Sequence, residues 1–484
     1  MKTRILLSSF ILAVLIPLLH PVSGQTVTAS GNNNTQTSVQ IGNDRSRWSH
    51  KSNGSEFNIE LRGRVEVTDD DRDIKSLSDG GYLEISKTVF GSKRSVVIES
   101  QGGGKLKRSY YEGRTLASWE DGGKAWLADI LPSVVRSTGI SAEARVERFF
   151  KRGGTTAVLN EISQLEGDGV RAQYAALLMK QPVPVSEYAG IIRSVSGKID
   201  SDHYKAEFLR NNIGKFIQNK EASAAVFSAT LEIDSDHYRA GVIKEALRGD
   251  NVTQDNITTA LQAASKIESD HYITEVLTAL LQKPNLTDAA MEKLIETTQA
   301  IESDHYKTEI LKRALSKPNL SKRSYDNLIE STRHVESDHY LSEIIRELLS
   351  KPLTPEVITS ASQILGSIES DHYRSEVLSR LLKQPSLNDN ILATTLDLCK
   401  GMDSDHYKSQ VLQQAITEIK TDGQLASVLQ VVRSMDSDHY KTEVMTRAAN
   451  RVKAGGTPLK DTYRDIARSI SSETYYGRAL RAID

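Results

Sequence analysis

A histidine followed four residues later by a glutamate can ligate a metal, move a proton or hold a charged ligand. This chain carries that pair as His203/Glu207, His271/Glu275, His305/Glu309, His339/Glu343, His372/Glu376 and His439/Glu443. Two further histidines in the same setting, His237 and His406, are followed instead by Gly241 and Gln410. All eight lie in the tetrapeptide Ser-Asp-His-Tyr, spaced 34, 34, 34, 34, 33, 34 and 33 residues apart. On a helix advancing about 100° per residue, Tyr306, Ile310, Leu311, Ala314 and Leu315 form one apolar stripe, and His305 and Glu309 fall opposite it.

Two roles fit a polar pair placed in this way. In one, each histidine bonds a glutamate, a backbone carbonyl or a neighbouring cap, so that successive repeats are held by an identical ladder. In the other, the His/Glu face contacts a polar or charged ligand, with a response to pH near neutrality. A metal fits poorly, because one repeat offers two ligands, structural zinc takes four, and equivalent histidines on packed helices are expected about 10 Å apart. No His-Glu-x-x-His, nucleophile-elbow, phosphate-loop or dinucleotide motif occurs. Eightfold repetition is also unlike the single asymmetric constellation that catalysis needs. The expectation is a non-enzymatic protein without metal or cofactor.

A constant period of about 34 residues signals stacked copies of one supersecondary unit. The stretch from Ile301 to Val335 shows its design. Ser303 or Asp304 is expected to cap a first helix, Lys317-Pro318-Asn319 to end it, and Ser321 to cap a second helix with Tyr325, Leu328, Ile329, Thr332 and Val335 facing inward. A worn copy precedes the series, with Gly169 in the histidine slot, and another follows it, with Thr474 there. The predicted fold is mainly α, an α-α superhelical solenoid of helical hairpins over 166–484, preceded by a helical connector and first worn repeat over 117–165.

Upstream, the stretches FNIELRGRVEV, YLEISKTVF, RSVVIES and KLKRSYYEG alternate apolar and polar residues and predict four strands of a small antiparallel β domain over 56–116. Asp69-Asp70-Asp71-Arg72-Asp73 has carboxylates enough to suggest calcium, but it lacks the glycine and distal glutamate of a helix-loop-helix site and reads as a solvated acidic turn. Residues 25–55, rich in Thr, Asn, Gln, Ser and Gly, read as a disordered leader.

The first residues, Met1-Lys2-Thr3-Arg4 followed by the apolar run Ile5 to Leu19, read as a secretory signal over 1–24 with cleavage before Gln25, leaving no integral membrane span. Export to the periplasm or the exterior is therefore expected. The single cysteine, Cys399, excludes an internal disulfide and reads as a small buried filler. A formal net charge of −2 gives no basic field for nucleic acid. Asn285 and Asn319 match a glycosylation triplet at places where turn chemistry already calls for asparagine.

The strings SDHYKAEFL, SDHYKTEIL and SDHYRSEVL, with GISAEARVERFFKRGGTTAVLNEISQLEGDGVRAQY upstream of them, resemble a family of bacterial envelope repeat proteins marked by a tandem SDxxK/R-type helical repeat. Similar repeats are attached to membrane metallopeptidases of the antibiotic-sensor type, whose zinc motif this chain lacks. The period resembles that of tetratricopeptide repeats without their Trp, Leu-Gly and Tyr pattern. The resemblance implies an envelope protein. The architecture implies a scaffold for an envelope protein or peptide, with two alternatives: a ligand- or pH-sensing module using the His/Glu face, or a spacer that projects the β domain.

Overall fold

The computed structural model describes residues 25–31, 35–42, 45–52, 54–250, 252–284, 286–318 and 320–484. The predicted signal over 1–24 and the glycosylation candidates Asn285 and Asn319 lie outside the described residues. The chain is mainly α, a helical-hairpin solenoid preceded by an antiparallel β domain. It divides into two compact units, one ending at Asn256 and one beginning at Ile257.

In the first unit, β1 (Gln25–Gly31), β2 (Thr35–Ile41), β3 (Arg45–Ser52) and β4 (Ser55–Arg62) are followed by a short separate pair, β5 (Val65–Val67) and β6 (Ile74–Leu77). The main sheet continues with β7 (Tyr82–Val89), β8 (Ser92–Ser100), β9 (Leu106–Glu112) and β10 (Thr115–Ala117), all antiparallel, in the order β1-β2-β3-β4-β7-β8-β9-β10. The alternation predicted for four of these strands works as expected. Ile59, Ile85, Val96 and Tyr110 stand in one cross-strand row and bury on the same face.

Residues 25–52, expected to be a disordered leader, instead form three strands that extend the sheet, which has eight strands rather than four. Their Thr- and Val-rich alternation suits a pleated strand. Composition read as disorder because the segment lacks a core of its own, whereas pairing onto β4 satisfies its backbone without one.

Helix α1 (Lys124–Thr138) lays Leu127, Leu131, Val134 and Val135 on the apolar face of the sheet, with Trp119 and Trp126 half-buried beside them. Helix α2 (Ala142–Ile162) breaks at Gly153-Gly154, where Gly154 has φ 60° and ψ −154°, a conformation that favours glycine. Helix α3 (Asp168–Leu178) belongs to the worn first copy.

The acidic turn at 69–73 is solvated as expected at Asp69, Asp70 and Arg72 but not at Asp71. Asp71, at φ 57°, is 13 % exposed in its side chain, and its carboxylate accepts from Arg145 at 2.7 Å and Arg148 at 2.6 Å. Asp69 pairs with Arg152 and Asp73 with Arg108. Arg145 is fully buried and also donates to Glu161 at 2.7 Å and to the Tyr174 hydroxyl, while Arg136 holds Glu161 from the other side at 2.9 Å. Burial by itself would raise the pKa of Asp71 and Glu161. The hydrogen bonds and charge of the arginines outweigh burial, so both carboxyls sit below the usual carboxylate range. Burial pushes the Tyr174 hydroxyl up to about 12. The turn is thus a docking plug that ties the β domain to α2 and α3, and α2 presents its cations at a spacing of three to four residues to meet it.

From Asp168 onward, first and second helices alternate. Within each unit, first helices pack on first helices and second on second, as Asp304–Leu315 does on Asp338–Leu348 and Lys322–Ser331 on Pro355–Leu365. Second helices are capped locally, by Ser321 accepting from Ser324 N at 3.1 Å and by Asn388 accepting from Ile391 N at 2.9 Å. Cys399 is fully buried on a second helix, and burial pushes its thiol up to about 12.

Candidate functional site

The first helices begin at the aspartate of each Ser-Asp-His-Tyr. The expectation that Ser303 or Asp304 caps its own helix is corrected: Ser303 makes no side-chain cap bond, and its main-chain carbonyl accepts from Lys307 N instead. The Asp304 carboxylate reaches forward to accept from Glu336 N at 3.0 Å and Ser337 N at 2.9 Å, in the connection to the next first helix. In the second unit Asp270, Asp338, Asp371, Asp405 and Asp438 do the same for Ser303, Ser370, Ser404, Ser437 and Ser472. In the first unit Asp168 and Asp202 do so for Ser201 and Ser235.

The residue three places on completes the grip. Lys307 is 6 % exposed and donates to His334 O at 2.7 Å, so aspartate and lysine of one helix hold the donor and acceptor groups of a single connection. Lys205 on Glu232 O at 2.8 Å and Lys441 on Ser469 O at 3.2 Å repeat the arrangement. A buried ammonium is tolerated here because it meets a carbonyl left over at a helix end and has a carboxylate nearby, Asp304 at 3.9 Å from Lys307.

The end copies sharpen the division of labour. The worn first copy keeps Asp168 and Arg171, which bond at 2.8 Å, while its histidine and tyrosine slots hold Gly169 and Val170. In the copy that starts at Ser472 the aspartate and lysine slots hold Glu473 and Tyr476. The clamp therefore uses Asp and Lys/Arg and leaves the histidine free of that task.

The tyrosine, placed by helical geometry in the apolar stripe, is half-buried at most repeats and sits against the histidine of the preceding one; Tyr204 alone is fully buried. Ring centroids are 5.6 Å apart for His203 and Tyr238 in the first unit. In the second unit they range from 5.5 Å for His339 and Tyr373 to 6.3 Å for His271 and Tyr306. His305, His372, His406 and His439 meet Tyr340, Tyr407, Tyr440 and Tyr475 in the same way. His203 Nδ1 also lies 3.1 Å from the Tyr238 hydroxyl. This tyrosine partner escaped the sequence reading; the signal for it was that the last copy loses its histidine yet keeps Tyr475.

The opposite edge of each imidazole is open to solvent. His203, His339, His372 and His439 keep 36 to 51 % of their side-chain surface exposed, and His237, His271, His305 and His406 are exposed as well. Nε2 lies 3.9 Å from Glu207, 3.8 Å from Glu343, 3.9 Å from Glu376 and 3.4 Å from Glu443 in the respective pairs. Glu309 turns to Arg313 at 3.0 Å, Gln410 takes the glutamate's place 3.0 Å from His406, and Glu275 lies one turn beyond His271.

A second row runs across repeats on this face. Lys312 bonds Glu343 at 3.0 Å and Arg346 bonds Glu376 at 2.8 Å, each cation seven residues past its histidine. The Lys312 bond holds Glu343 below its ordinary pKa. Where Gly241 replaces the glutamate, Arg210 passes over to Glu245 at 2.7 Å. The face is thus a strip of imidazoles, carboxylates and cations on rigid helices, suited to polar contacts along an extended partner. Among the described residues, no three His, Cys, Asp or Glu side chains gather as a metal would require, and no helix is long and apolar enough to cross a membrane.

Fold and face together describe a helical-hairpin repeat protein with a polar ladder on its first helices. No family model matches the chain, and no curated protein matches it significantly.

Proposed function

We propose that this is a non-enzymatic, exported repeat scaffold of the bacterial cell envelope that binds a protein or peptide partner along the first-helix face. One observation carries the reading: the repeats are joined by aspartate and Lys/Arg, yet the recurring histidines keep an open edge beside a row of carboxylates and cations. Repeat arrays of this kind present extended surfaces in place of a deep pocket, which favours a macromolecular ligand. Crosslinking on the native envelope followed by purification of the full chain tests it. A discrete partner that is lost when His271, His305 and His339 are changed together to alanine supports the reading, and the absence of any crosslinked partner under gentle conditions overturns it.

The i,i+4 His–Glu distances of 3.4 to 3.9 Å favour a second reading, in which the same face senses pH or a small anion, since protonation turns each contact into an ion pair. A melting midpoint and intrinsic fluorescence that stay constant between pH 5 and 8 would dispose of its pH form.

A further inference from the structure

The repeats act as controls for one another, and one of them breaks the pattern in two places at once. The cross-repeat row, Lys312 to Glu343 and Arg346 to Glu376, would continue with Ser379 and Gln410, so both members of the next rung are uncharged. The cation slot after that is Gln413. At the other missing glutamate, Gly241, an arginine bridges the gap; at Gln410 none does.

Where the rung is missing the surface opens. A depression of about 440 Å³ is lined by Lys383, Gln410, Gln413, Gln414, Thr417, Glu418 and Arg447. That volume lies within the range of ligand sites, about 300–1,000 Å³. Three of the lining side chains are carboxamides, which offer donors and acceptors together, as a peptide backbone does. Glu418 is already engaged by Gln414 Nε2 at 2.7 Å. Lys383 and Arg447 are exposed and make no side-chain hydrogen bond or ion pair among the described residues, although Glu443 lies one turn before Arg447. Two uncommitted cations at an amide-lined hollow match a ligand that brings carboxylates and a hydrogen-bonding chain. No aromatic ring lines the hollow, which disfavours a sugar ring that would stack on one.

We infer that this depression is a docking site for an extended acidic peptide segment, with Lys383 and Arg447 taking its carboxylates and Gln410, Gln413 and Gln414 pairing with its backbone. The inference rests on the reading that the first-helix face binds a partner, and it locates the anchoring point. A fluorescein-labelled heptapeptide of alternating glutamate and serine, titrated into the full chain and followed by anisotropy, tests it. Saturable binding is expected, weakened by raised salt as charge-steered contacts are. Lys383→Glu with Arg447→Glu should reduce affinity at least ~10-fold, the loss of two charge-assisted contacts. Ser379→Arg with Gln410→Glu should rebuild the missing rung and abolish binding while leaving the melting midpoint unchanged or raised, which separates site loss from misfolding. No binding by the parent, or equal binding by parent and both variants, overturns the inference. So does binding of an oligogalacturonate in place of the peptide, which would assign the hollow to an anionic glycan. A crosslinked envelope partner retained by a parent that ignores the peptide would sink this inference alone and leave the scaffold reading standing.

Discussion

Two ionic arrangements hold this protein together, and they are built on opposite plans. In the first unit a single hub, Arg145 with Asp71, Arg148, Glu161, Arg136 and Tyr174, is buried and used once. In the second unit the aspartate bond recurs from connection to connection, joined by a lysine bond at Lys307 and Lys441, and is shallower. A buried hub concentrates its contribution: removing Arg145 strips a partner from Asp71, Glu161 and Tyr174 at once, although Arg148 and Arg136 still hold the two carboxylates. A repeated clamp spreads its contribution over many interfaces, so the loss of one copy is felt mainly by its neighbours. The difference teaches where each region tolerates change. The β-domain junction has one irreplaceable arginine, whereas the repeats can surrender a clamp residue, as Ile273 and Leu341 in the lysine slot already show.

The comparison breaks most readily at Arg145. Arg145→Met should cost about 3 kcal/mol, since Asp71, Glu161 and Tyr174 each lose a buried charge-assisted bond while Arg148 and Arg136 stay in place, seen as a fall in the melting midpoint of the first unit with the second unit's helical signal retained. Acid should act at the same place. Asp71 and Glu161 have folded pKa values below their unfolded ones of about 4. Their contribution is therefore present above about pH 4 and is lost as pH falls through the folded values. An acid melting series should show the first unit losing stability below about pH 4, with a shallower loss in the Arg145→Met variant.

Within the repeats, Asp304→Ala removes a carboxylate that accepts from two backbone N–H groups, and should cost about 2 kcal/mol. Hydrogen exchange should speed up at Glu336 and Ser337 while distant repeats stay protected. Changing His271, His305 and His339 together to alanine removes half-exposed ring contacts and should cost about 1 kcal/mol in all. A fall of several kcal/mol would instead make the histidines the principal joint between repeats. Smallest of all, Arg346→Ala should shift stability by less than about 1 kcal/mol, the ordinary worth of a surface ion pair, and a larger loss would show the cross-repeat row to be structural.

Much of this was legible in the chain. The period announced the hairpins, and proline and serine marked the ends and starts of helices, because those signals act within a few residues. The open edge of the histidine followed from helical geometry alone. What stayed hidden acts across 27 or more residues: Asp304 looked like a local cap because aspartate at a helix start usually is one, and nothing nearby shows that it serves Ser337. The burial of Asp71 stayed hidden because its arginine partners lie 74 and 77 positions downstream, at Arg145 and Arg148. The first three strands looked disordered because a sheet edge can order a polar segment that has no core to offer.

By itself, then, the sequence determined the repeat, the alternation of the sheet strands and the polarity of the first-helix face, since each depends on residue types at short and regular spacing. Tertiary structure alone decided which neighbour each aspartate, lysine and tyrosine serves and where the ionic row lapses at Ser379 and Gln410. Those outcomes depend on how one hairpin stacks on the next, and the stacking brings together residues that the chain keeps a full repeat apart.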